Sequence, residues 1–281
     1  MLLLAFSQIL PHQKVHAQQG GGNLYLPLVM KDYNQPLPDQ NDFWLSFINS
    51  QRAAAGLPPL LETSDLNNGI ALHVQYMLYN PNQENVHTEY VGKPGYTEAG
   101  RIAAGQSNMV ILKGATTLTE KQAIECMLSS PEHRYNLLHP DLKETSFALQ
   151  CDSSNCFAGL NVLAGLPLSY NITRADFVFP GDGQRDIPAM RYPITWAFYI
   201  PWTHATGDAD EVRFVSASII DAQGKKLSFQ VKQPSQSGYD YFNQVVLTPE
   251  ASFVSGMTYR VDMTVIMQGQ RLSKSWSFSV R

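Results

Sequence analysis

The stretch Ser129-Ser130-Pro131-Glu132-His133-Arg134-Tyr135-Asn136-Leu137-Leu138 sets the punctuation of the first half of the chain. A serine followed by proline is a helix start. The serine hydroxyl can accept from an orphan backbone N–H of the first turn, and proline at the first helical position has no N–H to leave unpaired. A short helix therefore begins at Pro131, with His133 and Arg134 in its opening turn. Just upstream, Thr119 and Gln122 have the spacing of a capping box for another helix, whose apolar residues are Ala123, Ile124, Met127 and Leu128.

Working outward towards the N-terminus, Asn41 or Asp42 can cap a helix with Phe43, Trp44, Phe47 and Ile48 on its apolar face. Gly56 and the pair Pro58-Pro59 end it. A further helix starts near Ser64-Asp65 and carries Leu66, Ile70, His73, Val74 and Met77 on one side. Residues 80–114 are glycine-rich and weakly patterned, and so long a stretch inside a compact domain is either functional or held by its neighbours. Downstream, residues 146–150 and 157–163 read as two strands of a hairpin around Cys151 and Cys156. That spacing suits a disulfide across the turn, the alternative being two reduced thiols. Cys126 sits in a helical pattern beside Ile124 and Met127 and reads as a small buried hydrophobe.

After Pro167 the period becomes two. Tyr259, Val261, Met263 and Val265 alternate with polar residues, as do Trp276, Phe278 and Val280, and turn signals recur at Ala222-Gln223-Gly224 and Gln268-Gly269. The division that follows is a signal-like segment and linker over residues 1–38, an α+β domain over 39–168, and an all-β sandwich over 169–281. At 281 residues the chain has length for two cores. Its net charge of −4 comes with no basic stripe in either half, so nucleic acid and anionic membrane surface are not expected partners. Leu2 to Phe6 form a short apolar run, and Val15-His16-Ala17 offers a cleavage point, the pattern of a signal peptide and hence of secretion. The later chain has no stretch of about 18 apolar residues, so a transmembrane protein is not expected. The segment Leu24 to Lys31 (LYLPLVMK) reads as a strand or extended arm.

The helical half resembles the CAP superfamily (cysteine-rich secretory, antigen 5 and pathogenesis-related proteins), in its bacterial SCP-like branch. The resemblance lies in Asn49-Ser50-Gln51-Arg52-Ala53-Ala54-Ala55-Gly56-Leu57-Pro58-Pro59-Leu60, in Ala71 to Met77, in His87-Thr88, in Ile102-Ala103-Ala104-Gly105-Gln106-Ser107 and in the Ser129 to Leu138 stretch. It implies an α-β-α sandwich with a cleft where histidines and glutamates can bind a divalent metal, chemistry that suits zinc or a similar ion. Transferred position by position, the cleft candidates are His87, Glu98 and His133, with His87 and His133 as metal ligands. The set is damaged: Gly100 stands where the family has a glutamate, Glu98 lies two residues upstream, and the family's second histidine would fall at Cys156 to Gly159. The resemblance thus implies only a weak divalent-metal site. The same histidines can instead be structural hydrogen-bonding groups, and His73, on an apolar helix face, reads as a satisfied core histidine.

Residues 169–281 resemble immunoglobulin-like or fibronectin-like modules through Pro249, Phe253, Gly256, Tyr259 and Val261, spaced as in a tyrosine corner, and through Trp276 and Phe278. Trp196, Phe198, Tyr199 and Trp202 read as core rather than as a carbohydrate platform. A Ser107, His87 and Glu98 arrangement is a weaker nucleophilic alternative, and Asp208, Asp210 and Glu211 read as a solvated turn. Asn171-Ile172-Thr173 is a glycosylation sequon. Together these readings favour a secreted, non-catalytic module over an enzyme. It would bind a lipid-like apolar or cell-envelope ligand, with the sandwich as spacer or adhesion arm; the alternative is a metal-assisted hydrolase using the degenerate His/Glu cleft.

Overall fold

A computed structural model describes residues 44–166, 175–199, 211–234 and 242–281. The expected signal, the LYLPLVMK arm, the Asn41/Asp42 cap, Phe43, the sequon, Trp202, Asp208 and Asp210 lie outside them.

The first half is built from helices α1 (Trp44–Ala54), α2 (Ser64–Tyr79), α3 (Glu98–Ala104), α4 (Glu120–Ser129) and α5 (Pro131–Leu137). A two-residue parallel pair joins β1 (Leu61–Glu62) to β3 (Glu144–Thr145). The central antiparallel sheet has the order β2 (Ser107–Lys113), β5 (Asn155–Asn161), β4 (Phe147–Cys151). Its side chains divide by the pleat. Met109 and Phe157 join Ile70, Val74, Tyr76 and Met77 of α2 on one face. Val110, Ala158 and Leu160 join α1 and α4 on the other. Helices therefore cover both faces, and the class is α+β as expected.

The caps form as their residues dictate. Thr119 and Gln122 make both halves of the capping box at α4, and the Ser130 hydroxyl accepts from the His133 N–H at 3.3 Å while Pro131 opens α5. Cys151 and Cys156 are directly paired across the β4–β5 hairpin and are bonded as a disulfide. Cys126 is buried, and burial pushes its thiol up to about 12, which leaves it inert as a nucleophile. Arg52, completely buried near the end of α1, donates to the carbonyls of Pro58 (2.8 Å), Leu137 (2.8 Å), His139 (3.1 Å) and Leu142 (3.2 Å). One guanidinium thus fixes the first helix to the chain that leaves α5.

Residues 80–114, unpatterned in sequence, contain α3 and β2. The loop before α3 is held by the buried Tyr76 and the half-buried Gln83. The Tyr76 hydroxyl donates to Gln83 Oε1 and accepts from the Tyr90 N–H, while the Gln83 amide donates to the carbonyls of Asn85 and Thr88.

The second half consists of two sheets. One has the order β10 (Lys226–Leu227), β9 (Arg213–Asp221), β13 (Thr258–Met267), β14 (Gln270–Val280), β7 (Gln184–Ile187). The other has the order β11 (Phe229–Lys232), β12 (Gln244–Pro249), β8 (Ile194–Tyr199), β6 (Ala175–Phe179). The alternation along β13 and β14 places Tyr259, Val261, Met263, Trp276 and Phe278 inside. The Tyr259 hydroxyl accepts from the Val254 N–H at 2.9 Å, closing the expected corner. Trp196, Phe198 and Tyr199 are buried, so they are core and no platform.

The two halves share one apolar core. Gly181 lies so close to α1 that a Cβ there would sit 1.9 Å from the Ala54 carbonyl oxygen. Gln184 donates to Gln51 at 2.6 Å, and Arg281 pairs with Glu125 at 2.8 Å. At the centre is Arg134, fully buried, donating to the carbonyls of Leu128 (2.7 Å) and Pro193 (2.9 Å) and to the Thr195 hydroxyl (2.8 Å). Its guanidinium also lies over the rings of Phe179 and Tyr192, at 4.7 and 5.2 Å.

Candidate functional site

Helix α5 presents His133 towards a pocket of about 280 Å³. The Asn108 amide of β2 donates to the His133 carbonyl at 2.8 Å, which seats the helix against the sheet. His87 lies in the loop between α2 and α3. Its own N–H donates to the Asn85 side chain at 3.0 Å, a local Asx turn, and its Nδ1 donates to the Ala104 carbonyl at 3.2 Å. His87 and His133 line the same pocket. The remaining polar wall is Gln106, Ser107, Asn108, Glu132 and Asn136, and the apolar wall is Val162, Leu163 and Phe242.

Electrostatics keep the two imidazoles neutral. Burial lowers the His133 pKa to about 4, with the nearby His87 acting in the same direction. The His87 pKa is lowered too, by burial first and by His73 second, against the raising effect of its Ala104 and Ser107 backbone contacts. His87 is nevertheless exposed at the rim, while the His133 ring is half-buried. The Nδ1 of His133 is a buried polar atom with no hydrogen-bond partner among the described residues. Such an atom costs stability, on the order of 1–3 kcal/mol, unless something else satisfies it.

Glu98 is elsewhere. It lies on the exposed surface of α3, paired with Arg101 (Nε to Oε2, 2.9 Å) and accepting from the Tyr96 hydroxyl at 2.9 Å, and it does not line the pocket. Those two partners hold its carboxyl down to about 2. The Ser107 hydroxyl donates to the Ala103 carbonyl at 2.7 Å, so it is committed within the fold and not to His87. Hence the structure does not assemble the Ser107, His87, Glu98 arrangement.

Sequence reasoning missed Glu89. Its side chain is fully buried, and Oε1 lies 3.1 Å from Nδ1 of the equally buried His73, while Oε2 accepts from the Thr97 N–H at 3.0 Å. The other ring nitrogen of His73 faces the Val86 carbonyl at 2.9 Å. Both ring nitrogens of His73 are thus engaged inside the fold, one by Glu89 and one by the Val86 carbonyl. This carboxylate also occupies the space in front of Gly100: a Cβ built there would lie 2.2 Å from Glu89 Oε1. Only its position in a loop beside His87 could have drawn notice to Glu89.

The donor set does not fit a resident zinc. Two imidazoles meet at the pocket, but Glu89 is spent on His73 and Glu98 on Arg101. Among the described residues no group of three His, Cys, Asp or Glu side chains could hold a metal ion.

Among known proteins, no curated sequence matches the chain. A crystal structure of an engineered protein aligns at a TM-score of 0.24 and 16% identity, over 39% of this chain and 20% of that one, so this chain spans a fifth of its length and the likeness carries no argument. The model of the Cysteine-rich secretory protein family, CAP, matches residues 45–164, which include both histidines and both histidine-bearing walls of the pocket. Residues 45–164 are thus similar to the CAP family.

Proposed function

We propose that the pocket between His87 and His133 is a binding cleft for a small polar ligand of the cell envelope, in a secreted and non-catalytic protein. The observation that carries the reading is the His133 imidazole: neutral, lining the pocket, with an unmet hydrogen-bonding nitrogen. Its neighbours Gln106, Asn108 and Asn136 are amides, suited to hydroxyl and amide groups on a ligand. An apolar ligand, the other expectation from sequence, is less well supported by so polar a wall. Among the described residues no third ligand and no activated nucleophile converge on the pocket, so nothing there favours the metal-assisted hydrolase. Secretion accords with the Cys151–Cys156 disulfide, and among the described residues no helix is long and apolar enough to cross a membrane. The two-sheet half is read as an immunoglobulin-like module on its strand alternation and its Tyr259 corner.

The test is a titration of the full chain, labelled at histidine nitrogens, with a soluble peptidoglycan digest and separately with palmitate. The reading expects the His87 and His133 imidazole signals to move with the digest. Movement with palmitate alone, or with neither, overturns it.

A further inference from the structure

We infer that the C-terminal β-half is part of the ligand site, and that the ligand is a saccharide whose ring rests against Phe242. This inference rests on the pocket reading above and names its ligand class.

Phe242 precedes β12, outside the segment matched by the CAP model, yet it lines the same pocket as His87 and His133. Its ring meets Tyr135 of α5 edge-on, with centroids 5.3 Å apart. Tyr135 is itself tied into the β-half: its hydroxyl donates to the Phe198 carbonyl at 3.0 Å, and the Tyr199 hydroxyl donates to its backbone carbonyl. The Gln244 amide, two residues after Phe242, donates to the Pro131 carbonyl at 3.2 Å. Helix α5, which carries His133, is therefore gripped at both ends and along Arg134 by the β-half. The domain that supplies the histidine and the domain that supplies the aromatic wall are locked in one arrangement.

The lining selects the ligand class. Among the described residues it has no lysine or arginine, and its acidic side chain is Glu132, so phosphates and carboxylates find no counter-ion among them. Neutral imidazoles and amides match hydroxyl and acetamido groups, while Phe242, Val162 and Leu163 match the apolar C–H face of a sugar ring. At about 280 Å³ the pocket is at the small end of the usual roughly 300–1,000 Å³, room for a ring or two and not for a lipid chain.

The experiment is calorimetric titration of the full chain and of its F242A, F242Y and H87A variants, with N-acetylglucosamine tetramer and, separately, with a peptidoglycan stem tetrapeptide. Binding of the tetramer is expected, weakened about tenfold or more by F242A and by H87A and recovered in F242Y. Near-ultraviolet dichroism checks that each variant is folded. Tetramer binding that H87A weakens and F242A leaves unchanged overturns the role of the β-half while the pocket reading stands. Binding of the tetrapeptide but not the tetramer overturns the saccharide and again spares the pocket. Binding of neither overturns both.

Discussion

Glu89 fills the volume that a side chain on Gly100 would occupy: its Oε1 is 2.2 Å from where a Cβ at Gly100 would lie, and the same oxygen meets the buried His73 at 3.1 Å. The glycine where the related family carries a glutamate is thus no simple deletion. Its space has been taken by a carboxylate from a neighbouring loop, directed to a histidine in the core. The first prediction follows from that crowding. Gly100→Ala should destabilise the chain by about 1–3 kcal/mol, because Glu89 must move or His73 must lose its partner. Denaturant unfolding measures it; a Gly100→Ala protein as stable as the parent would refute the packing described.

Removing the carboxylate itself should cost more. Glu89→Ala leaves His73 Nδ1 and the Thr97 N–H unpaired in a dry site, a loss of about 3 kcal/mol or more. Glu89→Gln retains one acceptor and should fall between the two. Equal stability of all three proteins would mean that the His73–Glu89 pair does not form.

Arg134 is the corresponding test of the junction between halves. It is fully buried with three hydrogen bonds and two ring faces. Arg134→Ala should lower stability by about 3 kcal/mol or more and split a single unfolding transition into two, as the helical half and the β-half lose their common anchor. A single unshifted transition in calorimetry would count against the junction.

The pH dependence has a definite sign. The His133 and His139 imidazoles are each pushed down to about 4 in the folded chain, mainly by burial, against an unfolded value of about 6.5. Between these values the unfolded chain holds protons that the folded chain does not, so stability falls as pH drops from about 6.5 to about 4 and flattens below. His133→Asn should reduce that slope. An unchanged slope in urea unfolding at several pH values would show that His133 titrates normally.

How far the sequence could be read depends on the kind of signal. Caps are local chemistry, so Thr119, Gln122, Ser130 and Pro131 announced α4 and α5. The β4–β5 hairpin and the Tyr259 corner were legible for the same reason. Helix α3 was not: it is one short element, Glu98–Ala104, with Gly100 inside it and a helix-facing side too small to show a period. Strand β2 is covered on both faces, so its apolar run does not alternate. At the site, His87 and His133 lie in recognisable motifs, and both line the pocket. Glu98 was nominated because it stood near the vacant position, but α3 turns it outward to Arg101. Glu89 and Phe242 were invisible because their roles are set by tertiary contacts, one through a loop closed by Tyr76 and Gln83, the other across more than a hundred residues of chain.

Glu98→Ala is the matching control. With its carboxylate exposed and committed to Arg101 and Tyr96, its loss should leave ligand titrations unchanged, whereas His87→Ala should weaken them. A Glu98→Ala protein that no longer binds would return Glu98 to the pocket.

On the proposed reading the histidine pair serves ligand binding and does not hold a resident metal. The most direct test of that reading is the zinc content of the full chain, and of His87→Ala, after equilibration with excess zinc and exhaustive dialysis. Well under one zinc per chain, unaltered by the substitution, is the predicted result. One zinc per chain, lost in His87→Ala, would contradict it.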